Sequence, residues 1–210
     1  MSESCSIYRF DCNDEEIPPN LQYLISIAKQ QKIAFKDIFP WEDYSCSSDI
    51  VSYVAFDPGN QVICGWIKII VFPEDKRIYI SLLSSRSSTD PNYRGIGTKL
   101  INNIISDFRD YNFIYLQPTF KARSFYLHIG FKDYGSPYYL FKPIAKIETS
   151  DVQKLDNEYN YNLLIIALES EGLDRYVRKL ERLIDKKELS INDIANIKTV
   201  DDIVLLLNTF

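Results

Sequence analysis

Hydrophobic and polar positions alternate along this chain in two different periods, and the period changes more than once. From Ile50 to Leu83 nearly half of the residues are β-branched or aromatic. Ile50 to Phe56 and Val62 to Phe72 read as strands, joined by Asp57-Pro58-Gly59-Asn60. In that turn Pro presets φ and Gly or Asn accepts positive φ. Arg77 to Leu83 follows a second short turn, Pro73 to Lys76, so the pattern predicts an antiparallel meander of strands. Gly65 inside its strand predicts a bulge or a close backbone approach. Beyond residue 95 the spacing becomes helical: Leu100, Ile101, Ile104, Ile105 and Phe108 share one face. Phe113 to Gln117 is the next strand, and the intervening helix makes it parallel to Arg77–Leu83. A helix from about Phe120 to His128 and a closing strand from Tyr138 to Lys142 follow. Upstream, residues 7 to 12 predict a short first strand. Leu21 to Ala28 predict a helix entered through Pro18 and Pro19, where the missing N–H costs little. Ile33 to Phe39 predict a further short helix or turn.

Past Pro143 the strand pattern stops. Asp151 to Asn162 is polar, and Asn162–Leu168, Leu173–Ile184 and Ile191–Leu207 read as helices. Gly172 separates the first from the second, and Ser190 is a candidate N-cap with Asp193 in its first turn. Leu173, Tyr176, Val177, Leu180, Leu183 and Ile184 make one apolar face. Arg175, Arg178, Lys179, Glu181 and Arg182 surround it; this is either a solvated face or one that meets an acidic partner. The expected organisation is a mixed α+β domain over residues 1–143 and an all-helical extension over 144–210. The extension could pack on the first domain, recruit a protein partner or make a dimer.

The totals narrow the class. The chain has 210 residues, 46% hydrophobic and 25% charged, which is ordinary globular composition. A net charge of −5 argues against a general nucleic-acid binder. It suits a basic amine or a Lys-rich peptide, although a solvated surface accounts for it equally well. The first residues lack the pattern of a secretory signal, and no apolar run has the length of a membrane span. Cys5, Cys12, Cys46 and Cys64 are scattered and the chain has one His, so no zinc ligand set is expected. An intracellular, reduced protein that avoids membranes is the expectation.

The candidate chemistry lies where a strand turns into a helix: Asn92-Tyr93-Arg94-Gly95-Ile96-Gly97-Thr98. Free backbone N–H groups at a helix N-terminus, beside residues that lack Cβ atoms, can hold a phosphate. Gly-x-Gly alone is more often only a tight turn. A second stretch follows the next strand, with Ala122, Phe125, Tyr126, Gly130 and Phe131. In this order and at about this distance the pair of motifs resembles the GCN5-related N-acetyltransferase (GNAT) superfamily. Its first signature, Arg/Gln-x-x-Gly-x-Gly/Ala, is matched at Gly95 and Gly97, with Asn92 where the family has Arg or Gln. Its second, Ala-x-x-Phe/Leu-Tyr-x-x-x-Gly-Phe, is matched in full; Thr119 stands where an Asn often precedes it.

The resemblance spans residues 1 to 143 and is strongest from 78 to 141. It implies a mostly antiparallel central sheet flanked by helices, and acetyl-CoA as cofactor. The Asn92–Thr98 loop would meet the pyrophosphate. Leu83, Ser84 and Ser85, at a strand end that splays from its parallel neighbour, would meet the pantetheine arm. Thr119 and Ser124 complete the implied cofactor residues. Tyr126 would be the acid that protonates the departing thiolate; read without the family, it is a core aromatic. His128 points to another side of the same helix and reads as a surface residue. Arg86 would meet a phosphate or be solvated. Trp41, Glu42, Asp43 and Tyr44 fall where the family builds a wall of the acceptor cleft, and equally suit an ordinary loop. The implied acceptor is a primary amine on a protein, peptide or small molecule. Glu42, Asp43, Tyr79 and a water chain remain open as the base. The alternative is a GNAT-like binding scaffold, weak or inactive as an enzyme, whose helical tail binds a partner.

Overall fold

The computed structural model describes residues 5–11, 20–38, 49–86 and 90–210. The chain divides into two compact units. The first comprises Met1–Asp133 and Tyr139–Ile147; the second comprises Tyr134–Tyr138 and Glu148–Phe210.

The first unit is a six-stranded sheet whose strands lie in chain order: β1 (Ser6–Asp11), β2 (Ile50–Asp57), β3 (Val62–Phe72), β4 (Arg77–Ser85), β5 (Phe113–Leu116) and β6 (Leu140–Pro143). Neighbours are antiparallel except β4 and β5, which are parallel. Helices α1 (Leu21–Gln30), α2 (Phe35–Ile38), α3 (Ile96–Asp107) and α4 (Arg123–His128) complete the unit. Strand β2 is buried at every position, because both of its faces are covered. Its alternate residues feed two apolar clusters, as a period of two requires. Ala55 and Tyr53 join Ile67, Ile78, Leu100 and Ile104 on the α3 side. Val54 and Phe56 join Leu24, Ile27 and Ile63 on the α1 side. Each fully buried Leu or Ile contributes roughly 1.5–3 kcal/mol.

Two register shifts shape the sheet around the later site. Ala55 faces Gly65 but Phe56 faces Ile63, so Cys64 is an extra residue in β3. Lys68 faces Leu82 but Ile69 faces Ile80, so Ser81 is an extra residue in β4. The Ser81 hydroxyl donates to the Lys68 carbonyl at 3.1 Å, which satisfies both groups at the bulge. A third feature matters more. Strand β4 pairs with β5 only over Arg77–Tyr79, and from Ile80 to Ser85 it pairs with β3 alone among the described residues. The two parallel strands therefore part beyond Tyr79.

The second unit holds α5 (Thr149–Ser170), α6 (Asp174–Asp185), α7 (Ile191–Ile194) and α8 (Val200–Leu207) around Leu164, Leu168, Leu180, Leu183, Ile203 and Leu207. Helix α5 begins well before the expected Asn162. The polar stretch is helical because Val152 and Leu155 face inward beside buried polar residues that have partners. Asp156 accepts from the Ser136 hydroxyl at 2.6 Å, and the Asn157 side chain donates to Asn192 at 2.8 Å. Buried polar side chains with partners are tolerated in a helix, but they hide its apolar period. The expected Ile191–Leu207 helix is two helices. Thr199 starts the second by accepting the Asp202 N–H at 3.2 Å. Among the described residues no helix is long and apolar enough to cross a membrane.

Candidate active site

The site is assembled where β4 leaves β5 and α3 begins. Asp90 opens the loop: its carboxylate accepts the Asn92 N–H at 2.9 Å, and Pro91–Tyr93 form one 3-10 turn. The Tyr93 N–H goes to the Asp90 carbonyl at 3.1 Å and the Arg94 N–H to Pro91 at 3.3 Å. The first half of the loop therefore spends its amides on itself. Gly95 then takes φ +84°, a left-handed conformation that glycine adopts without strain, and turns the chain into α3. The Lys99 N–H donates to the Gly95 carbonyl at 2.9 Å. The amides of Gly95, Ile96, Gly97 and Thr98 have no acceptor among the described residues. No side chain caps this helix. Those donors sit at the positive end of the α3 dipole, which favours an anion.

The two glycines serve different ends. A Cβ on Gly95 would meet nothing within 4 Å, so its requirement is conformational. A Cβ on Gly97 would lie 3.0 Å from Phe125 Cζ, with Leu83 Cδ2 at 3.8 Å. The space that the sequence reading left for a ligand at Gly97 is filled by the Phe125 ring. The two motifs are packed into each other here. Gly65 plays a similar part beneath. A Cβ there would lie 2.8 Å from the Ser84 carbonyl oxygen and 2.9 Å from Ile96 Cγ2. Its absence lets α3 and β4 close onto the β3 bulge.

The loop is also tied from the side. Tyr93 is buried, and its hydroxyl reaches the Asp57 carboxylate at 3.3 Å. Asp57 is itself buried and accepts from the Gly59 N–H at 3.0 Å, the Asn60 N–H at 3.3 Å and the Asn60 side chain at 2.8 Å. The Asn60 side-chain bond, with the two turn amides, holds the Asp57 carboxyl below the usual carboxylate range against the opposing effect of burial. Burial, with Asp57 beside it, pushes the Tyr93 phenol up.

Tyr126 lies on α4, 6% exposed, with ring neighbours Phe125 at 5.1 Å and Phe131 at 5.4 Å. Burial, then the nearby Tyr79 phenol, push its hydroxyl up to about 12. No hydrogen bond from that hydroxyl is present among the described residues. Tyr79 is the last β4 residue paired with β5, so Tyr126 stands close to the point where the strands part. The Lys142 ammonium holds the far end of α4 by donating to the Ile129 carbonyl.

The structure thus brings together Leu83, Ser84, Ser85, Ile96 and Gly97, with Phe125 locked among them. Asn92 and Arg94 are exposed, and Tyr93 is turned inward as a brace. Thr119 and Ser124 are exposed; the Thr119 carbonyl starts the turn into α4 by accepting from Ala122 at 3.0 Å. His128 is exposed, as expected. Arg86 is neither solvated nor waiting for phosphate: it donates to the Ile63 carbonyl and to the Gln31 side chain, both at 3.1 Å. Trp41, Glu42, Asp43 and Tyr44 lie outside the described residues. Sequence reasoning missed Asp57 and Gly65 as supports of the loop. Both were visible as a turn and a strand break, but not their partners 36 and 31 positions downstream.

The Acetyltransferase (GNAT) family model matches residues 21–131, more than half of the chain. The chain belongs to the GNAT acetyltransferase family. Among solved structures it is similar to a nourseothricin acetyltransferase at 15% identity, covering 46% of this chain and 66% of that one with a TM-score of 0.38. It is similar to Tetrahymena GCN5 at 13% identity, covering 69% and 98% with a TM-score of 0.47. It is similar to a GNAT family N-acetyltransferase (YhbS) from Escherichia coli in complex with CoA, at 13% identity, covering 71% and 84% with a TM-score of 0.45. No curated protein matches the sequence at a significant level.

Proposed function

We propose that the chain is an acetyl-CoA-dependent N-acetyltransferase in which a primary amine attacks the thioester directly. The observation that carries this reading is the open start of α3, with unspent amides at Gly95–Thr98, whose Gly97 packs on Phe125 next to the protonated Tyr126 phenol, itself without a hydrogen bond among the described residues. Acetyl-CoA, when bound, supplies an activated acetyl group. The amides of Ile96, Gly97 and Thr98 would hold its pyrophosphate. The backbone of Leu83–Ser85, beyond the last pair with β5, would hold the pantetheine arm. Tyr126 keeps its proton at neutral pH and can give it to a thiolate sulfur. Strand β4 carries no carboxylate, so the attacking amine loses its proton to water, to Tyr79 or to a carboxylate outside β4. The acceptor is an amine on a protein, peptide or small molecule.

A second reading has an observation of its own. The Asn92, Tyr93 and Arg94 amides are already spent, and Asn replaces the leading Arg or Gln, so the loop offers fewer donors. That favours a scaffold that binds coenzyme weakly or not at all. Thermal unfolding with and without millimolar acetyl-CoA separates the two. A stabilising shift is expected, and its absence would leave the scaffold. Thiol release measured across amine classes then identifies the acceptor.

A further inference from the structure

The second unit carries a concave surface of about 510 Å³ lined by Arg175, Tyr176, Arg178, Lys179, Arg182 and Asn208. We propose that it binds a compact anion bearing two or more phosphate groups. The four cations stand at positions i, i+3, i+4 and i+7 of α6, so all project from one side of the helix. Like charges at these spacings repel and disfavour a helix. None of the four has a carboxylate within ion-pair distance among the described residues.

Glu181 and Asp185 of the same helix are exposed, and neither pairs with the four cations among the described residues. Asp174 is exposed at the start of the helix. Residues 148–210 are net acidic, yet all three of their arginines and one of their five lysines line this surface. The end of α8, at Asn208, offers the negative pole of a helix dipole, about half an elementary charge. That offsets only a small part of four full charges.

The surface is also partly set in advance. The Arg175 guanidinium lies 4.6 Å above the Tyr176 ring and donates to its hydroxyl at 3.0 Å. The hydroxyl in turn reaches the Asn208 side chain at 3.4 Å. Three of the cations are arginines, whose planar forks match phosphate oxygens. Arg175 and Arg178 lie in the first turns of α6, where the dipole adds positive potential. A polyphosphate concentrates its charges within such a cavity. The carboxylates of an extended acidic peptide alternate sides and spread along the chain, at roughly 3.3 Å per residue.

The test is isothermal titration of the full chain with sodium tripolyphosphate at constant ionic strength. Saturable binding is expected, weakened at least about tenfold by Arg178→Gln together with Arg182→Gln. Both side chains are exposed and the fold should persist; circular dichroism checks that. Arg178→Lys with Arg182→Lys, which keeps charge and removes the forks, should fall between the two. The double Gln variant leaves the α3 loop untouched, so an unchanged affinity would place tripolyphosphate elsewhere and overturn the proposal. No binding to the native chain, binding of orthophosphate as tight as tripolyphosphate, or tighter binding of poly-glutamate would each overturn it as well.

Discussion

Helices α3 and α8 begin in opposite ways. Thr199 closes the start of α8: its hydroxyl accepts the Asp202 N–H at 3.2 Å and donates to the Asp202 carboxylate at 2.6 Å. Helix α7 starts alike, with Ser190 accepting the Asp193 N–H at 3.3 Å. Helix α3 starts on Gly95 with no side-chain bond at all. A missing cap costs about 1 kcal/mol. Side chains close the starts of α7 and α8, whereas α3, like α1, α4 and α6, has no side-chain cap. The difference teaches that an uncapped start is not by itself a site: α3 stands apart because it begins where β4 parts from β5, with the amides of Gly95–Thr98 unspent among the described residues.

The strongest way to break this contrast is at the phenol. Tyr126→Phe keeps the ring packing and removes the proton, so turnover should fall by roughly a hundredfold or more while the coenzyme-induced thermal shift stays. Equal turnover would remove Tyr126 from the chemistry. Gly65→Val is expected to cost about 1–3 kcal/mol, because its added carbons meet the Ser84 backbone at 2.8 Å. Chemical denaturation measures it, and a neutral result would mean that α3 does not rest on that contact.

Two substitutions sharpen the contrast directly. Thr98→Glu places a carboxylate on the free amides of α3. It should raise stability by about 0.3–1 kcal/mol and weaken coenzyme binding, two effects of opposite sign. Loss of both together would contradict the open-start reading. Thr199→Ala should cost about 1 kcal/mol in the helical unit and leave coenzyme binding alone.

The smallest effect concerns acid. The Asp57 carboxyl is held below its unfolded value, near 3.9. Its contribution is complete above that value and is lost as the pH falls through the lower folded value. Asp57→Asn should therefore be less stable at pH 5 and should flatten the loss of stability as the pH falls below about 4. Denaturation curves at several pH values check this.

Much of the first unit was legible because its strands alternate and its turns carry their own chemistry. Val62–Phe72 begins and ends where its apolar run does, between two polar turns. The site was legible as two motifs, since Gly95 needs a left-handed backbone and Tyr126 belongs to a recognisable run. What could not be read was which group meets which. Gly97 reads as room for a ligand, yet Phe125 occupies it. Arg86 reads as a free cation, yet Gln31 and Ile63 hold it. Such pairings depend on the fold bringing distant positions together, and local periodicity carries no trace of them. Helix α5 escaped for a related reason: its buried Asp156 and Asn157 find partners only through the fold.

The route of the chain has a consequence for anyone who would divide it. Tyr134–Tyr138 belongs with the helices although β6 follows it and returns to the sheet. From that short excursion Ser136 holds Asp156, and Tyr138 stacks 4.2 Å from Tyr159 while bonding Asn160 at 2.7 Å. A single cut near residue 147 would strand those rings and hydroxyls on the wrong fragment. The helical tail is therefore not a detachable cassette. Expression of the tail alone should yield a frayed α5.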